Sequence, residues 1–139
     1  MDPADFRDDR ALMGGLRASP VREADELAVR AVDTARKYKK RGSEASALCL
    51  LAEVAAAGQP PDSSAAAGVY AQAMVLAHEL GMRPLVAQCH ARLAALNQRM
   101  GQRDQARDHL ISAVTMFREM DMPFWLEKTE LEMKTSKSS

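Results

Sequence analysis

Three stretches of this 139-residue chain carry the same ladder of mostly small residues. Ala24, Ala28, Ala31 and Ala35 align without gaps on Ala66, Tyr70, Ala73 and Ala77 at a shift of 42, and these align on Ala106, Leu110, Ala113 and Phe117 at a shift of 40. Steps of three and four residues place each ladder on one face of a helix. Self-similarity with a period near 40 marks a stacked array, in which each unit buries a face that it cannot bury alone. The flanks repeat too: Glu79-Leu-Gly-Met82 parallels Glu119-Met-Asp-Met122, and Gly58-Gln59 parallels Gly101-Gln102, an alignment that leaves three extra residues in the proline loop. The chain holds 25 Ala and 14 Leu against 13 Val, Ile and Thr together, so propensity favours helix over strand throughout. Alanine buries little area but lets helices approach closely, which predicts thin, tightly stacked layers. The expected fold is all-α, an antiparallel helix-pair superhelix of about seven helices forming one domain over 1–134.

Start and stop signals divide that domain. Asp2-Pro3 and Gly14-Gly15 bracket a short N-terminal helix over 3–13. Repeat helices fill 20–121, opening near Ser19-Pro20, Ser43, Asp62 to Ser64, Pro84 and Arg103. Pro123 starts a capping helix over 123–134 whose apolar residues are Phe124, Trp125, Leu126 and Leu131, and the polar stretch 135–139 is expected to be a disordered tail. The 19 Lys and Arg balance 19 Asp and Glu, which removes the basic field that nucleic acid or an anionic membrane would require; neither is an expected partner. The basic run from Arg36 to Arg41 suits a helix C-terminus facing solvent. No apolar run reaches the roughly 18 residues of a membrane span, and a cytoplasmic protein is expected. Two cysteines, Cys49 and Cys89, make no disulfide framework or paired zinc spacing, and both are expected reduced.

The units resemble the tetratricopeptide repeat, a helix-turn-helix of about 34 residues, here lengthened to roughly 40. The last unit carries the likeness best: Leu93-Ala94, Gly101, Ala106, Leu110 and Ala113 stand where that family places its Leu-Gly, turn Gly, Ala, aromatic and Ala, and Tyr70 supplies the aromatic one unit earlier. The family's Trp and terminal Pro are missing, and Asn97 replaces a usual Tyr. Longer motifs between Tyr38 and Leu131 are similar to the C-terminal helical repeats of large bacterial signalling ATPases that often carry a nucleotide cyclase or DNA-binding domain elsewhere. They are Arg41-Gly-Ser-Glu-Ala45, Leu50-Leu-Ala-Glu-Val54, Ala77-His-Glu-Leu-Gly-Met-Arg-Pro-Leu-Val-Ala87, Cys89-His90, Arg118-Glu-Met-Asp-Met122 and Phe124-Trp-Leu126. This resemblance implies a non-catalytic protein-interaction or autoregulatory array. The first helix of each pair would line a concave groove, with an inward stripe at Ala45, Leu48, Ala52 and Ala55 in one unit and Gln88, Ala91, Ala95 and Arg99 in the next. Leu48 and Ala91 occupy the position of the family's carboxylate clamp, so a helical or extended apolar segment of a protein or peptide is the expected ligand.

No catalytic, cofactor or metal site is expected. A phosphate-binding Gly-rich Lys-Ser/Thr loop is missing, and the carboxylate pairs Asp8-Asp9, Asp25-Glu26, Glu127 with Glu130 and Glu130 with Glu132 sit among Lys and Arg in charged helical stretches. Cys89-His90 with His78 and His109 could suggest thiol or metal chemistry, but His90 falls on a packing face and reads as a core histidine, while His78 and His109 fall outside the small-residue stripe and read as exposed or boundary residues. Met82 and Met122 at equivalent junctions read as gap fillers. A domain sensing a small ligand through its Met, Cys and His side chains is the alternative. The weak N-terminal edge is where a second copy or a partner helix is expected to dock, beside Leu48 and Ala52.

Overall fold

The computed structural model describes residues 20–58 and 61–138. Six helices follow one another: α1 (Pro20–Lys37), α2 (Arg41–Ala57), α3 (Ser63–Glu79), α4 (Arg83–Arg99), α5 (Arg103–Glu119) and α6 (Pro123–Ser138). No strand occurs among the described residues. The expected helix over 3–13 lies outside them. Each helix packs on its successor, and α2 also touches α4, so the array is all-α and repeat-like.

From α3 onward the spacing is regular: helices of 17 residues begin at Ser63, Arg83 and Arg103, and α6 begins at Pro123, in steps of 20. Three-residue connections set that step. In each, the middle residue adopts positive φ, at Lys39 (57°), Gly81 (71°), Gly101 (75°) and Asp121 (55°). The following N–H reaches back to a carbonyl five residues earlier: Lys40 to Ala35, Met82 to Ala77 and Gln102 to Asn97 at 2.8 Å, and Met122 to Phe117 at 3.0 Å. This is the Schellman ending, which satisfies carbonyls that the helix leaves open and turns the chain sharply back. The α2–α3 connection differs. Gly58 is extended, and Asp62 caps α3 by accepting the Ala65 N–H at 3.0 Å. It runs from 58 to 62, two residues longer than its counterparts and not three.

That difference fixes the register. Arg41 and Arg83 each open a helix and pair with Glu79 and Glu119 at the end of the next, both at 2.7 Å. Exposed pairs contribute little stability, but their recurrence marks α2–α3 and α4–α5 as equivalent antiparallel hairpins. α1 and α6 are then the flanking halves of further pairs. The ladders from the sequence fall where expected: Ala66, Tyr70, Ala73 and Ala77 are buried, as are Ala106, Leu110, Ala113 and Phe117. On α1, Ala28 and Ala35 are buried but Ala31 is exposed.

The end of the array departs from expectation in two ways. α6 continues as helix to Ser138 instead of ending at 134, and no Gly or Pro after Pro123 interrupts it. Of the four capping side chains, Trp125 stacks on buried Phe117 (centroids 6.0 Å, planes 19° apart) and Leu126 packs beside it. Phe124 and Leu131 point outward, 69% and 64% exposed. Thr129 takes a core place by donating its hydroxyl to the Trp125 carbonyl at 2.7 Å. One face of α6 thus closes the stack through Trp125 and Thr129, one turn apart.

Candidate functional site

A helix start at Arg41 and another at Arg83 equate α2 with α4 at a shift of 42. The expected stripe equates Ala45, Leu48 and Ala52 with Gln88, Ala91 and Ala95, a shift of 43. One residue is about 100° of helix rotation, so the two halves of the stripe face different ways. Ala45, Leu48 and Ala52 are buried in the main core, Leu48 at 4% exposure, and Ala55 packs against that core. Their true counterparts Ala87 and Ala94 are buried too. Gln88, Ala91, Ala95 and Arg99 are the half that reaches the surface, and their partners on α2 are Ser46, Cys49, Glu53 and Ala57.

These surface residues of α4 form a ridge between two clefts. On one side, a cleft of about 320 Å³ is walled by Glu53, Ala56 and Ala57 of α2 and by Arg92, Ala95 and Arg99 of α4, with Tyr70 of α3 among its lining. Arg99 spans it, its guanidinium 3.5 Å from the Ala56 carbonyl. Burial, with Glu53 nearby, pushes the Tyr70 hydroxyl well above its ordinary range, so it is neutral at every physiological pH. On the other side, a more apolar cleft of about 250 Å³ lies between α4 and α6, lined by Ala91, Ala94, Ala95, Gln98, Leu110 and Leu131. Gln88, Arg92, Trp125, Lys128 and Glu132 border a narrow extension of it. Ala95 belongs to all three surfaces. The result is a face whose ridge is small at Ala91 and Ala95, with aromatic and aliphatic flanks and charges of both signs at the rim.

The candidate thiol and imidazole residues separate into two pairs. Cys49 and Cys89 meet across α2 and α4 with Sγ atoms 3.5 Å apart. Both are free thiols. Sequence reasoning missed this pairing, although a separation of 40 residues in a chain with a repeat near 40 was its signal: such residues lie on neighbouring copies of one helix. His90 is half-buried and meets His109 of α5, Nδ1 to Nδ1 at 2.9 Å. His109 is therefore part of the α4–α5 interface and not an exposed residue. Burial holds both imidazoles below their usual pKa; the neighbouring ring adds to this for His90, and Asp108 opposes it for His109. His78 stands apart and exposed. No group of three or more His, Cys, Asp or Glu is arranged to hold a metal among the described residues, and no described helix is long and apolar enough to cross a membrane. Comparison with protein families and with curated proteins yields no match for this chain.

Proposed function

We propose that the chain is a tetratricopeptide-like, non-catalytic interaction or autoregulatory module, and that the α4 ridge and its two clefts receive a helical or extended apolar segment of a protein partner. The observation that carries this reading is the continuity of the surface: Ala91, Arg92 and Ala95 each border two or more of its clefts, so one segment laid along α4 would contact α2 and α6 together. The small side chains of Ala91 and Ala95 at the middle of the ridge leave room for a partner's larger ones. Arg92, Arg99 and Lys128 at the rim can meet carboxylates, and Glu53 and Glu132 can meet cations, which would set orientation more than affinity. The residence of such a module beside a signalling ATPase or cyclase, as the sequence likeness implies, belongs to the same proposal, as does a cytoplasmic setting.

The test is binding of a panel of amphipathic helical and extended peptides, followed by calorimetry on any that bind. Ala95→Trp fills the shared wall of the clefts from an exposed position and is expected to abolish binding with an unchanged melting temperature. Gln72→Trp on the exposed side of α3 is expected to leave binding intact. Equal loss from both variants, or none from Ala95→Trp, places the partner elsewhere.

A further inference from the structure

Cys49 and Cys89 stand at the seam between α2 and α4, their sulfurs already in hydrogen-bond contact at 3.5 Å. A disulfide needs about 2.0 Å between sulfurs, so the two must approach by about 1.5 Å, a step within reach of side-chain rotation and slight sliding of one helix on another. Their surroundings are unequal. Cys49 is half-buried, and the cleft residues Glu53 and Arg92 are its charged neighbours. Cys89 is 1% exposed.

We propose that Cys49 and Cys89 form a peroxide-responsive dithiol, which oxidation converts into an intramolecular disulfide stapling α2 to α4. Cys49 is the attacking sulfur. The hydrogen bond from the Cys89 thiol lowers its pKa and Arg92 assists, while burial and Glu53 oppose. Cys89 keeps its proton, because that same bond and its burial push its pKa up. The Cys49 thiolate attacks the terminal oxygen of a hydroperoxide; the O–O bond breaks, and hydroxide from hydrogen peroxide, or an alkoxide from an alkyl hydroperoxide, leaves and is protonated to water or alcohol. This gives a sulfenic acid at Cys49. The Cys89 sulfur then attacks the Cys49 sulfur, forming the S–S bond as the S–O bond breaks, and the departing hydroxide takes the Cys89 proton as water. Two thiols lose two electrons and two protons in total, and the peroxide becomes two waters or, for an alkyl hydroperoxide, one water and one alcohol.

Because α2 and α4 also wall the larger cleft, the staple would fix the spacing of those walls. The dithiol chemistry itself stands whether or not the cleft binds a partner. The experiment exposes the full chain to millimolar hydrogen peroxide, quenches it, and reads intact mass, maleimide-reactive thiols after unfolding, and peptide linkage. The expected result is a monomer lighter by two hydrogens, with no free thiol, a Cys49–Cys89 linked peptide, reversal by dithiothreitol, and a melting temperature several degrees higher. In Cys89→Ala the Cys49 sulfenic acid should persist and be trapped by dimedone, and in Cys49→Ala the Cys89 thiol should stay silent toward maleimide in the folded protein. Over-oxidation of Cys49 with Cys89 still free in the wild-type chain, a disulfide-linked dimer, or no reaction would each overturn the proposal, and these outcomes do not depend on how the variants fold.

Discussion

His90 and His109 occupy the positions that Leu48 and Val69 hold one unit earlier, so an apolar pair in the first hairpin becomes an imidazole pair in the second. Between neutral rings, one Nδ1 can donate and the other accept at 2.9 Å; once both rings are protonated, two donors and two charges face each other. Both folded-state values lie below the ordinary 6.5, so the unfolded chain binds protons that the folded one refuses. Stability should therefore be complete above pH 6.5 and should fall as the pH drops through 6.5 toward the lower folded-state values. Urea midpoints at pH 7.5 and 5.5 measure this, and His90→Leu with His109→Val should flatten the difference while keeping every carboxylate that also titrates. Leu48 gives a second expectation. Its place in the core means that Leu48→Glu forfeits apolar burial and strands a charge, costing about 3 kcal/mol or more. Loss of helical signal in circular dichroism is the expected outcome, in contrast to Ala95→Trp, so any loss of binding in Leu48→Glu follows from unfolding.

At the scale of helices and turns, four connections use one backbone solution with different residues. Gly81 and Gly101 adopt positive φ freely, whereas Lys39 and Asp121 adopt it against the steric preference of an L side chain, worth about 1 to 2 kcal/mol. A Cβ at Gly81 or Gly101 would meet nothing within 4 Å, so Gly81→Ala should cost about 1 kcal/mol through backbone strain alone. Asp121→Gly should stabilise by a similar amount, and it also removes an anion from the negative end of α5. Thermal unfolding of the two variants checks both signs. Much of this level was legible in the sequence. The ladders at shifts of 42 and 40 placed α3 and α5, Asp62 to Ser64 marked the start of α3, and Pro123 marked the start of α6. What escaped was a matter of one residue. Gly58 looks like Gly101, yet it ends α2 in extended geometry while Gly101 is the left-handed residue of a Schellman turn. The expected stripe pairs α2 with α4 at the glycine shift of 43, whereas the helix starts at Arg41 and Arg83 differ by 42, and one residue is about 100° of rotation, enough to separate a core face holding Ala45, Leu48 and Ala52 from a surface one. On α4, Gln88, Ala91, Ala95 and Arg99 border the clefts.

Across the whole molecule, an array in which each helix packs mainly on its neighbours gains stability unit by unit, and its ends are held from one side only. α6 is such an end: among its described side chains only Thr129 is buried, and its main aromatic anchor, Trp125, lies on Phe117. Trp125 is the only tryptophan in the chain, which makes its fluorescence a selective reporter of whether α6 is docked. The Trp125 signal should change at a lower urea concentration than far-ultraviolet circular dichroism, which follows all the helices. Coincident transitions would mean that the array unfolds as one unit and that the end is not the weak point. Ending the chain after Met122 should then uncover Phe117, Ala113 and Ala87, which form one cluster with Trp125 and Leu126 packed over it. Losing that cover should destabilise the remainder by about 2 to 4 kcal/mol, comparable to truncating a large aromatic in a core, and the bared apolar face should drive self-association. Light scattering across a range of concentrations, with Phe117→Gln in the shortened chain to lower the apolar character of the new surface, separates this cause from general unfolding. Association that Phe117→Gln reduces without further loss of helix would assign capping to α6, whereas a shortened chain that stays monomeric at full stability would remove that role from it.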